Sequence, residues 1–284
     1  MSEPKSIIIN LFQWNTLHKL LSDKKAFPYV DDKYLEWDYR HPLLKKIIEE
    51  NNSDILCLEE VGFFEEDFKQ KMFETYNTKY DLIYEVRTSK FMGNVIGVNK
   101  ELFSIEKHDN VILDAQDGKP SGQNAIFALI NDKKTNNKFL VIAVHLKAKA
   151  ENENIRFAQI EHLMKYIEKN HLGKYPIFIL GDFNAEPTYS CIQKLLENKN
   201  INAKSLFDFN ELGFSTIKLR DKLYKRIIDY IFFVPKEKDG KDKEIKILNA
   251  EKAKPTIDEK IGLPNNAFPS DHLFLKAKVE LNFV

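Results

Sequence analysis

Cysteine is nearly absent from this sequence: Cys57 and Cys191 are the two thiols among 284 residues. Two thiols cannot build a disulfide framework, and a reduced cytoplasmic setting, or a nuclear one, is the simpler expectation. Long apolar runs are missing as well. The longest extend over about six residues, as in Phe139 to Val144, whereas a membrane-spanning helix needs roughly 20, so no membrane contact is expected. Neither sign of charge is in excess, with 43 Lys+Arg against 43 Asp+Glu. That balance excludes a sequence-blind nucleic-acid coat protein, which carries a basic surplus, and leaves room for a local basic groove. No period of about 20–50 residues recurs, which excludes solenoids and propellers. The opening Met-Ser-Glu-Pro-Lys-Ser runs into a strand-like segment and does not read as a signal peptide. No linker rich in Gly, Ser or Pro divides the chain, so one catalytic-size domain over residues 1–284 is expected. At that length a chain buries roughly three quarters of its unfolded surface and needs no disulfide or metal staple.

Short apolar runs are frequent. Ile7–Trp14, Asp54–Leu58, Tyr80–Val86, Asn94–Val98, Ala125–Ile130, Phe139–Leu146, Pro176–Leu180, Ile227–Val234 and Leu273–Leu281 all read as strands. Several are apolar on consecutive residues, the mark of strands covered on both faces. Helical patterns lie between them: one opened by Pro42 with Leu43, Leu44, Ile47 and Ile48 on one face, a second over Ile155–Tyr166 and a third over Tyr189–Leu196. The Lys- and Glu-rich stretch from Lys236 to Lys260 reads as a solvated excursion around a strand near Ile245–Leu248.

Polar residues collect just past the strand ends. Asn15, Glu59, Glu60, His145, Asp182 and Asn184 sit there; Asp229 interrupts an apolar strand, and Asp271-His272 precedes the last one. Strand ends converge on one rim of a sheet, where loops carry sites. The set offers oxygen ligands and two histidines but no cysteine, which suits Mg²⁺ or Mn²⁺ better than zinc. An Asp inside an apolar strand is costly unless paired, which singles out Asp229.

In combination these segments resemble the endonuclease/exonuclease/phosphatase superfamily, and within it the nocturnin and poly(A) deadenylase branches. The resemblance rests on Gln13-Trp14-Asn15, Trp37-Asp38-Tyr39-Arg40, Asp54 to Val61, His145-Leu-Lys-Ala-Lys149 with Arg156 and Gln159, Gly181-Asp-Phe-Asn-Ala-Glu-Pro187, Ile228-Asp229-Tyr230, Leu263-Pro264 and Pro269 to Leu273. It implies an α/β fold, a four-layer α-β-β-α sandwich of two mixed sheets packed face to face with helices outside. It implies Glu60 as the main metal ligand with Asn15 and Asp271 nearby, and Asp182 as the group that positions or deprotonates water. Asn184 and His145 are then phosphate donors, and His272, held by Asp229, a charge stabiliser or acid/base. The sequence departs from the family pattern at Met92-Gly93 (usually Asp-Gly), Glu59-Glu60 (usually Gln-Glu) and Lys149 (usually Arg). Lys in place of Arg keeps the charge but loses the bidentate phosphate fork.

Two substrates follow from the resemblance. His145–Lys149 and Gly181–Pro187 look like nocturnin, implying an NADP(H) 2′-phosphatase. Tyr224 lies five residues before Asp229, where poly(A) deadenylases stack an aromatic on adenine, and Tyr84, Arg87 and Thr88 also follow that pattern. Lys147, Lys149, Arg156, Arg220, Lys225 and Arg226 make a candidate phosphate-binding patch. The favoured expectation is a divalent-metal-dependent 3′–5′ exoribonuclease, deadenylase-like, acting as a monomer on the 3′ end of poly(A) or other single-stranded RNA. An NADP(H) 2′-phosphatase is the alternative, and an inactive RNA- or partner-binding relative a further one. No docking module is present from which a protein partner could be inferred.

Overall fold

The computed structural model describes residues 5–62, 76, 78–87, 92–237 and 243–283. In strand β1 (Lys5–Asn15), Ile7, Ile9 and Leu11 point to one face and Phe12 and Trp14 to the other, and both sets are buried. The same alternation separates Ile55 and Cys57 from Leu56 and Leu58 in β2 (Ile55–Gly62). Successive side chains leave a strand on opposite sides, so an unbroken apolar run means a sheet with two covered faces. One face meets the second sheet and the other meets a helix.

The first sheet runs, edge to edge, β13 (Ile245–Lys252), β14 (Leu275–Phe283), β1, β2, β4 (Met92–Asn99) and β3 (Tyr80–Val86). The second runs β5 (Phe103–Asp114), β6 (Pro120–Asp132), β7 (Lys138–His145), β8 (Ile177–Asp182), β12 (Asp229–Val234) and β9 (Lys204–Ser205). Both are mixed, because β1 pairs with β2, and β7 with β8, in parallel while the other neighbours are antiparallel. A two-stranded ribbon, β10 (Thr216–Leu219) and β11 (Leu223–Arg226), stands apart from them. After the short α1 (Asp32–Leu35), α2 (Trp37–Asn51) buries Trp37, Leu44 and Ile48 with Phe12, Trp14 and Leu56 of the first sheet. On the second sheet α3 (Glu153–Asn170) buries Ile160, Leu163, Met164 and Ile167, and α4 (Ser190–Glu197) buries Cys191, Ile192 and Leu195. This is the four-layer α-β-β-α sandwich implied by the resemblance. No helix among the described residues is long and apolar enough to cross a membrane.

Several elements differ from the sequence reading. Helix α2 starts at Trp37, five residues before Pro42. Pro42 falls in its second turn on the exposed side, so the missing N–H costs one bond, while buried Trp37 and Arg40 tie down the first turn. Strand β5 carries Lys107, His108 and Asp109 on a largely exposed edge, and its apolar residues cluster at the ends, so no run announces it. Charged residues on an edge strand discourage pairing with another chain. The β10–β11 ribbon is too short and too exposed for a periodic signal.

Candidate active site

Register brings the polar residues together. Parallel pairing of β7 and β8 sets His145 beside Asp182, and antiparallel pairing of β8 and β12 sets Asp182 beside Asp229. In the other sheet Asn15 stands beside Glu59. Gln13 and Asn15 lie on the inner face of β1 and reach across: Asn15 Nδ2 donates to Asp182 Oδ2 at 3.0 Å, and Gln13 Nε2 donates to Asp229 Oδ1 at 3.1 Å. Two backbone features serve this meeting. Gly181 has φ 148°, and a Cβ there would lie 1.9 Å from the Val144 carbonyl oxygen, so glycine lets β7 and β8 close beside the site. A bulge between Leu58 and Val61 places Glu60 at φ 57° and turns its carboxylate to the backbone N–H of His18, 3.0 Å away. Bulges commonly re-aim a side chain in this way.

Asp182 is the hub. Its Oδ1 accepts from the Asn184 backbone N–H at 2.8 Å; its Oδ2 faces Asn15 Nδ2, His145 Nε2 at 3.4 Å and His272 Nε2 at 3.9 Å. Burial, then the nearby Asp229 charge, pushes its pKa up to about 7. His145 is buried and its pKa is held well below the ordinary imidazole value, by burial first and then by Arg87 and His272. The Arg87 guanidinium touches His145 Nδ1, which must therefore be the acceptor nitrogen. Nε2 then carries the proton and faces Asp182. Asn184, at φ 50°, donates its side-chain N–H to the Leu146 carbonyl oxygen at 3.1 Å.

His272 faces Asp229, with Nδ1 2.9 Å from Oδ2 and 3.1 Å from Oδ1. Burial works against the imidazolium, but Asp229, Asp182 and Asp271 outweigh it and hold the pKa well above the ordinary value. Asp229 also accepts from Ser215 Oγ at 2.7 Å, and that oxygen in turn accepts the N–H groups of Ile228 and Asp229 at 3.0 Å. The Trp14 indole N–H donates to the His272 carbonyl oxygen at 2.6 Å. Asp182, Asp229 and His272 bring ligand atoms within 4.8 Å of one another. Within the trio the direct link is His272 Nδ1 to Asp229, which orients the imidazole. Beneath it Glu59 is buried, accepts from Gln13 Nε2 at 2.8 Å, and is raised well above the carboxylate range by burial and then by Asp229.

The family model of the Endonuclease/Exonuclease/phosphatase family matches residues 12–272, from within β1 to His272. The chain belongs to this family. It is 27% identical to nocturnin of Mus musculus over 290 residues, covering 96% of this chain and 66% of that protein. It is 28% identical over 309 residues to a probable CCR4-Not complex 3′-5′-exoribonuclease subunit Ccr4 of Vairimorpha ceranae, covering 93% of this chain and 63% of the relative. The chain thus spans about two thirds of the length of these relatives. Among solved structures, ANGEL2, a 2′,3′-cyclic phosphatase in complex with adenosine-2′,3′-vanadate, superposes with a TM-score of 0.81 at 20% identity over 99% of both chains. The human nocturnin catalytic domain with bound sulfate superposes at 0.76 and 21% identity over 98% and 97%.

Enzymes of this family generally work with a divalent metal, and the oxygen ligands here fit one. Asp271 is buried; Lys218 Nζ donates to its Oδ2 at 3.2 Å, while Oδ1 has no partner among the described residues. Burial would raise the pKa of Asp271, yet Lys218 and then His272 hold it below the ordinary value, so the carboxylate is ionised. An ionised buried oxygen without a donor is what a cation would fill. The buried Arg40 guanidinium feels both Glu60 and Asp271, and burial lowers its pKa to about 10 against their pull. Arg40 donates to the carbonyl oxygens of Thr16, Leu17 and Pro269, stapling the loop after Asn15 to the loop before Asp271.

Around this floor the proposed substrate residues divide. Arg87 is half-buried, its guanidinium against His145 Nδ1; Thr88 lies outside the described residues. Arg156 is fully buried and donates to the carbonyl oxygens of Lys147 at 2.9 Å and Lys149 at 2.6 Å, so it clamps the lysine loop from below. Gln159 accepts the Lys147 N–H at 3.0 Å and completes the clamp. Lys149 and Arg220 are exposed, Lys147 and Tyr224 half-buried. Tyr84 donates to the Val61 carbonyl oxygen and belongs to the frame. Lys225 is engaged with Glu259 at 2.6 Å, and Arg226 points outward. Ser215 and Lys218 carry no signal in the sequence that separates them from ordinary polar residues; only the fold places them at Asp229 and Asp271.

Proposed function

We propose that this chain is a divalent-metal-dependent phosphoesterase that releases AMP from the 3′ end of poly(A) or similar single-stranded RNA. The observation that carries this reading is Asp182: one buried carboxylate with a pKa near 7, ringed by Asn15, Asn184, His145 and an Asp229-held imidazole. Glu60, Asn15 and Asp271 would hold Mg²⁺ or Mn²⁺, which when bound would polarise the phosphoryl group and offset charge building on its oxygens. Asp182 would take the proton of the attacking water, since a base with a pKa near the working pH combines availability with driving force. His272, oriented through Nδ1 by Asp229, presents Nε2–H to a phosphoryl or leaving oxygen. His145 and Asn184 supply neutral donors, and Lys147 and Lys149 supply charge on the lysine loop. An inactive scaffold is disfavoured, because so many buried charges are costly to fold around unless they act.

RNA is favoured by the similarity to an exoribonuclease subunit and by Tyr224, half-buried on the ribbon next to Arg220. The clamped Lys147–Lys149 loop supports the second reading, an NADP(H) 2′-phosphatase, since a terminal phosphate offers more charge than a diester. Parallel turnover assays on oligo(A), oligo(A) ending in a 2′,3′-cyclic phosphate, mixed-sequence RNA, abasic DNA and NADP test the choice. Oligo(A) should show the highest kcat/KM. A clearly higher value on NADP would replace the RNA reading, and full turnover in a chelator would remove the mechanism.

A further inference from the structure

Above the floor, the loop after β1 and the tip of the β10–β11 ribbon enclose an open-sided cleft of about 730 Å³, lined among others by Leu20, Leu21, Tyr29, Lys149 and Arg220. Three of its walls are anchored to site residues. Leu20 and Leu21 follow His18, whose N–H holds Glu60; Lys149 lies four residues past His145; Arg220 lies two residues past Lys218, which holds Asp271. Lys218 also sits 3.9 Å from the centre of the Phe27 ring, so ribbon and loop are fixed to each other.

The cleft joins two chemistries. Tyr29 and Leu20 remain 54% and 61% exposed, an aromatic and an aliphatic face that the fold does not use. Lys149 and Arg220 line the same cleft, and among the described residues neither is paired with a carboxylate, unlike Lys218 and Lys225. The two acids at the same cleft are already engaged: Asp221 accepts from the Tyr224 hydroxyl at 2.9 Å, and Asp23 Oδ1 accepts the Ala26 N–H at 2.8 Å within its own turn. An apolar aromatic face beside unpaired cations is what a single-stranded nucleic acid requires, the base stacking and the phosphate meeting charge. The open side leaves room for a strand to run on, which a compact dinucleotide would not need.

We propose that this cleft seats a nucleotide next to the scissile phosphodiester of single-stranded RNA, its base against Tyr29 and Leu20 and its phosphate between Lys149 and Arg220. This rests on the RNA reading above and adds a second base-binding face, separate from Tyr224.

The test measures binding without catalysis. Fluorescein-labelled oligo(A) of twelve nucleotides is titrated with the full chain in a chelator and followed by anisotropy. Tyr29→Ala should weaken binding about 10- to 100-fold, and Tyr29→Phe should restore it, because one stacked base is lost and regained. Arg220→Ala should flatten the slope of log Kd against log salt by about 0.7, one phosphate contact on a single strand. Leu102→Ala, which truncates an apolar side chain 46% exposed at the turn before β5, controls for loss of apolar surface and should bind like wild type. A Kd for Tyr29→Ala within twofold of wild type, a loss equalled by Leu102→Ala, or no binding by the wild type would each overturn the proposal. Binding that depends on Tyr29 without RNA hydrolysis would leave this site standing and remove the RNA-degrading reading. RNA hydrolysis with Tyr29→Ala binding normally would do the reverse.

Discussion

The floor and the rim of the site are built by different means. The floor is made at strand ends in fixed register: His145, Asp182 and Asp229 abreast in one sheet, Asn15 and Glu59 in the other, and all five are buried. The rim is made of a loop, a lysine turn and a two-stranded ribbon, with Tyr29, Lys149 and Arg220 exposed. A register is shared by every strand that pairs in it, so the floor cannot drift without the sheet, whereas the rim can change residue by residue. Reaction class therefore belongs to the floor and substrate choice to the rim. Floor variants should lower kcat by orders of magnitude, and rim variants should act by tens and on substrate binding.

The sharpest contrast comes from the proposed metal ligands. Glu60→Gln should lower kcat at least about 1,000-fold, and a chelator should abolish turnover until Mg²⁺ or Mn²⁺ is restored. The thermal midpoint of Glu60→Gln, read by calorimetry, should stay near that of wild type, because Glu60 is half-buried and among the described residues accepts a single backbone N–H. A variant that unfolds instead would make Glu60 part of the frame.

Next is the Asp229–His272 pair. Asp229→Asn and His272→Ala should each cost about 1,000-fold in kcat, and the double variant little more, since residues acting as one unit lose their effect once. Multiplying losses in a double-mutant cycle would separate the two residues.

Much of the floor is legible in the sequence, and the reasons are local. Asp229 stands out because it interrupts Ile-Ile-Asp-Tyr-Ile-Phe-Phe, and Asp182-Phe-Asn184 because it ends an apolar run. The strands that position them are apolar on both faces and read directly. The rim is less legible, because charge in a sequence does not guarantee exposure in the fold. Arg156 is a cation in sequence and a buried clamp in the fold, and the Arg87 guanidinium is turned to His145. No pattern marks Ser215 or Lys218, whose partners are 14 and 53 residues away. Tyr29 sits in a loop with no periodicity, and only its exposure in the cleft it shares with Lys149 gives it meaning.

A smaller effect tests whether the floor carries strain. Asp182 has its pKa raised from 3.8 to about 7 by burial and Asp229. The folded metal-free chain therefore holds this proton where the unfolded chain has released it. The stability that the group contributes is fully present below about pH 4 and is lost as pH rises through about 7. Asp182→Asn stays neutral throughout. By calorimetry in chelator, the midpoint of the variant relative to wild type should rise between pH 5 and pH 8 by about a few degrees. An offset independent of pH would mean that the carboxylate is not protonated in the folded chain.

The mildest change belongs to the rim and concerns one ring. Tyr224 lies on β11 across from Lys218, and its hydroxyl donates to the exposed Asp221. If the ring carries a base, Tyr224→Ala should lower kcat/KM on oligo(A) about 10- to 100-fold, the worth of one stacking contact. The loss should appear in KM while kcat stays within about twofold, because no floor residue is touched. Tyr224→Phe keeps the ring and gives up only an exposed hydrogen bond, so it should match wild type. If the hydroxyl matters instead, by fixing Asp221 at the cleft, Phe and Ala should fall together, and the aromatic face would pass to Tyr29 alone. Equal losses of kcat would place Tyr224 with the floor and erase the division between the two regions.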